Sequence, residues 1–214
     1  MFEEMAPVPA GSWDASLLAP IAEINERMLE RLRDAALADA ANRPTLVAQL
    51  QSEWSALDAP AQRRLAHCPY LLLDAGFGDT RRWPYGGSPA VHESAAEPLP
   101  SGQGVAYLPN PEWRALVRRT LVLGWHLARA SPICARVLLG MSPGTAERIA
   151  VTPLSELDML AEQGARWIAP RWEAQPAVWR QLLRASRATE RELRLTQLRG
   201  LQLLAAVAAW PRQH

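Results

Sequence analysis

No lysine occurs anywhere in the 214 residues; all 23 basic side chains are arginine. That absence excludes Schiff-base chemistry, a phosphate-loop lysine and a catalytic lysine pair. Each needs an amine that can shed its proton or act as a compact point charge. Cysteine is nearly missing as well. Two residues, Cys68 and Cys134, make no disulfide framework and fit a reducing compartment. Long hydrophobic runs are lacking: the stretch from Leu203 to Trp210 falls far short of the roughly 18 apolar residues of a membrane span. The first residues, Met1-Phe2-Glu3-Glu4-Met5, carry neither the positive start nor the apolar stretch of a signal peptide. Cytoplasmic residence, with no membrane partner, is the expectation.

What is present favours helix. The chain holds 37 Ala and 31 Leu, which with arginine lose little on helix formation. A hydrophobic fraction of 49% with 21% charged residues is globular. The net charge of +1 hides an asymmetry: residues 1–100 hold 8 Arg and 14 Asp/Glu, and residues 101–214 hold 15 Arg and 8 Asp/Glu. Either the halves attract each other, or a basic face meets an acidic partner, or composition simply drifts along the chain.

Pro7, Pro9 and Gly11 make residues 1–13 a flexible tail. Leu17, Ile21, Ile24, Met28 and Leu32 step by four and three and predict a helix over 17–41. Helices follow over 45–56 and 61–68, the latter capped at Asp58. Pro69 to Leu73 fits another helix or a short buried strand. Residues 14–77 thus form an N-terminal helical half. Residues 78–110 are dense in Pro and Gly and read as a long loop. A C-terminal half over 111–210 carries helices over 112–130, 132–139, 144–151 and 154–164, with Thr152 opening the last of these. It ends in one long helix, about 177–210. The fold class expected is all-α, a multi-helix orthogonal bundle. Residues 55–77 can be laid on 150–172 at an offset of 95, with Leu65-Ala66 on Leu160-Ala161 and Phe77 on Trp172. A tryptophan follows each block, Trp83 and Trp179. Two similar helical halves, or chance likeness between helices, both account for the echo.

Residues 121–172 resemble the flagellar transcriptional regulator subunit FlhD. The resemblance rests on Leu139-Gly140, Ala146, Ala150, Leu154, Leu160-Ala161-Glu162, Arg171 and Trp172, with Leu121, Leu123, Leu127 and Ala135 in the same register. It covers about a quarter of the chain. It implies an all-helical, oligomerising fold in a regulatory complex that binds DNA together with a partner subunit. This chain departs from the family in its length, its N-terminal half and its C-terminal helix, and no DNA-contacting or metal residue carries over. Size and helix content are also similar to those of type III secretion sorting-platform adaptors, without a shared motif.

On the predicted last helix, Arg180, Arg184, Arg187, Arg191 and Arg194 step by four, three, four and three. They span an arc of roughly 80° and a length of about 21 Å. Five forked guanidiniums in a row suit phosphates or carboxylates. The row fits an acidic protein, the acidic first half, a nucleic-acid backbone or plain solvent, and net charge argues against the nucleic acid. The pairs Arg166-Trp167 and Arg171-Trp172 are candidates for an interface hot spot, or for helix packing. His67-Cys68, His126 and Cys134 lack metal-ligand spacing, and the cysteines read as buried structural residues. Asp74 and Asp79 around Gly76-Phe77-Gly78 read as a turn. No catalytic residue, metal site or cofactor is assigned. The expectation is a non-enzymatic regulatory or interaction protein acting through protein partners, with a homo-oligomer among the arrangements open to it. The alternatives are an adaptor of a type III secretion or motility apparatus and a direct DNA-binding transcription factor.

Overall fold

Residues 15–38, 43–80, 83, 111–164 and 168–209 are described by a computed structural model. The predicted tail and most of the predicted loop lie outside them. The apolar steps of four and three wind Ala15–Leu37 into α1, and Ile21, Ile24, Met28 and Leu32 are all buried. The expected second helix is two, α2 (Thr45–Gln49) and α3 (Gln51–Ser55), because Leu50 at φ −122° and ψ 24° leaves helical geometry. Asp58 caps α4 (Ala59–Ala66), accepting the Ala61 N–H at 2.7 Å, and Pro60 sits in the first turn. The ambiguous stretch after it ends in a strand, β1 (Leu73–Asp74).

The second half repeats the scheme with α5 (Pro111–Ala130), α6 (Pro132–Leu139), α7 (Pro143–Val151), α8 (Leu154–Gly164) and β2 (Ala169–Pro170). Ser131 and Ser142 accept the Cys134 and Thr145 N–H groups and cap α6 and α7. Gly140, at φ 69°, ends α6 in the left-handed conformation. Thr152 corrects the sequence reading. Its hydroxyl turns back to the Arg148 carbonyl at 2.9 Å and closes α7 instead of opening α8. The strands pair antiparallel, Leu73 opposite Pro170 and Asp74 opposite Ala169. Two further helices follow, α9 (Pro176–Arg187) and α10 (Glu190–Ala209).

The echo in the sequence has a counterpart in space. α1 packs on α2, α3 and α4; α5 packs on α6, α7 and α8. At an offset of 95, Ile21 and Leu116, Leu32 and Leu127, and Leu65 and Leu160 are all buried. From the strands onward the offset is 96. Gly76 at φ 72° and Trp172 at φ 56° are both left-handed. The Asp79 N–H donates to the Gly76 carbonyl at 3.1 Å, and the Gln175 N–H donates to the Trp172 carbonyl at 2.8 Å. The Trp83 indole donates to Gly76 O at 3.3 Å, and the Trp179 indole to Arg171 O at 2.6 Å. Matching helices could arise by chance. Matching dihedrals and turn hydrogen bonds support duplication of one unit, and the two indoles bond the same turn one carbonyl apart.

The two units exchange their trailing segments. α9 follows the second unit yet packs on α3 and α4 of the first, where Trp179 meets Trp54 at 5.6 Å between ring centroids. In return, the residues after β1 lie on α7 of the second unit. The Arg148 guanidinium donates to the carbonyls of Thr80 and Trp83 at 2.6 and 2.7 Å. The Ser142 N–H donates to Phe77 O at 3.0 Å. α1 also touches α5, and α10 lies across α6 and α9.

The paired hubs α1 and α5 each bury a polar residue at the same place, with different outcomes. Asn25 is fully buried and satisfied: its amide donates to Ala66 O and Tyr70 O, and its oxygen accepts the Leu72 N–H at 2.8 Å. It joins α1 to the segment that leads into β1. Its counterpart Thr120 is fully buried, and its hydroxyl has no hydrogen-bond partner among the described residues. Burying an unpaired hydroxyl costs about 1–3 kcal/mol. Thr120→Val keeps the shape and removes the hydroxyl. It is expected to raise stability by about 1 kcal/mol in urea unfolding; a loss would show that the hydroxyl is satisfied.

Candidate interaction surface on the C-terminal helices

The predicted final helix is interrupted, which breaks the arginine row. Ala188 is extended, at φ −92° and ψ −156°. Thr189 then starts α10 with a reciprocal cap: its backbone N–H donates to Glu192 Oε2 at 3.0 Å, and the Glu192 N–H donates to Thr189 Oγ1 at 3.3 Å. Arg180, Arg184 and Arg187 therefore belong to α9, and Arg191 and Arg194 to α10. The single 21 Å stripe expected from one continuous helix does not form.

The five arginines now fall into distinct roles. Arg180 and Arg184 both reach Glu53 of α3, at 3.1 and 3.4 Å. These bonds pin α9 to the first unit, so part of the basic row does dock onto the acidic half of the chain. Arg194 pairs with Glu190 at 3.0 Å. Arg64 of α4 donates to Ala188 O at 2.9 Å and approaches Glu190 at 3.8 Å, holding the junction between the two helices. Arg187 and Arg191 are exposed and meet no acceptor among the described residues.

Glu53 is held below the usual carboxylate range by the Ser52 hydroxyl and by Arg180, against an opposing effect of burial. A lowered carboxyl contributes stability above its unfolded pKa, and that contribution disappears as pH falls through the folded value. Arg180 and Arg184 remain 40% and 67% exposed, so solvent screens the pair. Glu53→Gln is expected to cost about 0.5 kcal/mol at pH 7 and less at pH 3. Paired urea titrations at the two pH values check this, and an equal cost at both would refute the charge pairing.

The Arg/Trp hot spot needs correction. Arg171 is not at the surface; it is only 6% exposed. Its guanidinium donates to three backbone carbonyls, Leu71 at 2.8 Å, Leu73 at 3.0 Å and Leu139 at 2.8 Å. Its own N–H donates to Leu72 O at 2.7 Å. Burial lowers its pKa, and the charge of Asp74 opposes the shift. Trp172 is half-buried and meets the Tyr70 ring edge-on at 5.7 Å. Arg166 and Trp167 lie outside the described residues.

A feature the sequence reading missed lies on α10. The buried side of this helix is Leu193, Gly200 and Leu204. Across from it, Leu195 is 49% and Leu198 55% exposed, and Leu203 is also exposed. The signal was legible in principle, because α10 carries more leucines than one face can bury.

The remaining chemistry is spare. Among the described residues, no three of His, Cys, Asp and Glu gather to hold a metal ion. Burial pushes the Cys68 thiol up to about 12, which keeps it from acting as a nucleophile. Asp74 accepts the Gly76 N–H at 2.9 Å, as a turn residue does. A cleft of about 140 Å³ beside α1 and α5 is lined by Arg27, Arg31, Arg119 and Trp113. It is smaller than pockets that enclose substrates, roughly 300–1,000 Å³. No helix among the described residues is long and apolar enough to cross a membrane.

Fold and surface together define an all-α, multi-helix protein with a basic terminal helix that exposes leucines. No protein-family model, curated protein or solved structure matches the chain.

Proposed function

We propose that the protein is a non-enzymatic regulatory subunit that acts by binding another protein through α9 and α10. The observation that carries this reading is the exposed leucine row of α10 beside Arg187 and Arg191, which have no internal acceptor among the described residues. Exposed apolar side chains ringed by unpaired arginine are the composition of an interface. The FlhD-like stretch adds a transcriptional-regulator reading. Most of its matched positions, including Leu121, Leu127, Ala135, Leu139 and Ala146, are buried, so the likeness speaks to packing more than to contacts with DNA. A secretion or motility adaptor fits the same surface. Direct DNA binding is less favoured, because the row that would follow a phosphate backbone is broken and three of its arginines have carboxylate partners.

Affinity capture from the source cells, with wild type and Arg187→Glu/Arg191→Glu side by side, tests the reading. A stoichiometric partner lost by the variant is expected. Capture of no partner, together with salt-dependent retardation of duplex DNA, would replace this reading with the DNA one.

A further inference from the structure

We infer that the outer face of α10 is the seat of an acidic amphipathic helix supplied by a partner protein. The inference rests on the interaction reading above and gives the partner a chemistry. Its basis is the register of the helix. Leu195, Leu198, Gln202 and Ala205 step by three, four and three, the spacing that keeps side chains on one seam against a second helix. At about 100° per residue they share one side, opposite the Leu193, Gly200 and Leu204 side that faces the protein. α10 therefore exposes two leucines, Leu195 and Leu198, on a face that its own fold does not use.

The seam is graded in size. Leu195 and Leu198 project near its N-terminal end. Gln202 and Ala205 follow, and alanine there lets a neighbouring backbone come close. Its rims are positive. Arg194 lies to one side and Arg199 to the other, with Arg191 leading into the seam. The acidic residues of the same helix are already engaged: Glu190 by Arg194 and Arg64, and Glu192 by Thr189. Glu192 keeps its negative charge, because Thr189 is a neutral partner, so a visitor meets Arg191 and Arg199, both exposed, with Glu192 on the Arg199 flank.

Charge selects among the occupants. A second copy of α10 would bring Arg191 and Arg199 against arginines of its own kind, which electrostatic complementarity disfavours. A helix with leucine-like residues in heptad spacing and Asp or Glu beside them satisfies both the seam and its rims.

The test uses the full chain and two synthetic 21-residue helices labelled with fluorescein. Both carry Leu at the two seam positions of each heptad; one has Glu and the other Lys at the flanking positions. Fluorescence anisotropy should show the Glu peptide binding at least tenfold more tightly than the Lys peptide. Leu195→Ser/Leu198→Ser should weaken the Glu peptide at least tenfold. Leu154→Ser, at an exposed leucine on α8, should leave binding unchanged, and circular dichroism confirms that each variant folds. Equal affinity for the two peptides overturns the proposal. So does binding that ignores Leu195 and Leu198, or a wild-type dimer that Leu198→Glu separates into monomers. If a cellular partner is captured and survives the Leu195/Leu198 change, the seat is wrong while the interaction reading stands. If the Glu peptide binds as expected but cells yield no partner, the reverse holds.

Discussion

Arg171→Met is expected to lower the unfolding free energy by about 3–5 kcal/mol, the range seen when one side of a buried charged network is removed. Replacing a buried ion by an apolar side chain can be harmless when its partners leave with it. Here they cannot leave, because the acceptors are main-chain carbonyls. Leu71 and Leu73 belong to the first unit and Leu139 to the second. Methionine fills much of the volume but leaves three carbonyls without these donors in a site closed to water. Arg171→Lys is informative beside it. An ammonium keeps the charge but lacks the flat fork that reaches three carbonyls at once, and a loss of about 2 kcal/mol is expected. Urea unfolding at neutral pH measures both. A methionine variant within 1 kcal/mol of wild type on the same scale would show that the carbonyl contacts are incidental.

The second large effect is expected at Gly200. A Cβ there would lie 1.8 Å from Tyr70 Oη and 2.4 Å from Cζ, far inside contact distance. Tyr70 is fully buried, with the Cys68 thiol beside it, and cannot swing into solvent. Gly200→Ala must therefore push α10 outward, at a cost of about 1–3 kcal/mol, or more if the helix undocks completely. Protease sensitivity around the α9–α10 junction should rise in step. Tyr70→Phe gives a control, since the Tyr70 hydroxyl faces the Cys68 thiol, a weak hydrogen-bonding group, and its loss alone should cost little. Combined with Gly200→Ala it should restore part of the stability and no more, because the ring carbon remains in the way. Strict additivity of the two changes would remove the steric explanation.

Much of the architecture was legible along the chain because its causes are local. Asp58, Ser131 and Ser142 stand before proline-bearing first turns and do cap α4, α6 and α7. The core residues of α1 follow from apolar spacing. The break at Ala188–Thr189 had a local signature too, Thr189 followed three residues later by Glu192. The unbroken row of arginines masked it by continuing the helical step across the gap. Arg171 is a different case. Its acceptors lie 32, 98 and 100 residues away and are backbone atoms, so no side-chain pattern announces them. Trp172 likewise adopts a left-handed conformation that glycine supplies at the matching place, and only the repeat identifies it. The sequence reading left both open between an interface hot spot and helix packing, because the residue types alone suit either.

The exchange of α9 onto the first unit sets a schedule for the nascent chain. Glu53 and Arg180 are 127 residues apart. At roughly 5–20 residues per second of synthesis, the seat of α9 on the first unit waits about 6–25 seconds for its cover to leave the ribosome. Throughout that interval Trp54 lacks its Trp179 neighbour. Chains at this stage carry an open aromatic site, which suits a holding chaperone and exposes neighbouring ribosomes to mispairing. Termination before residue 176 would leave that site permanently uncovered.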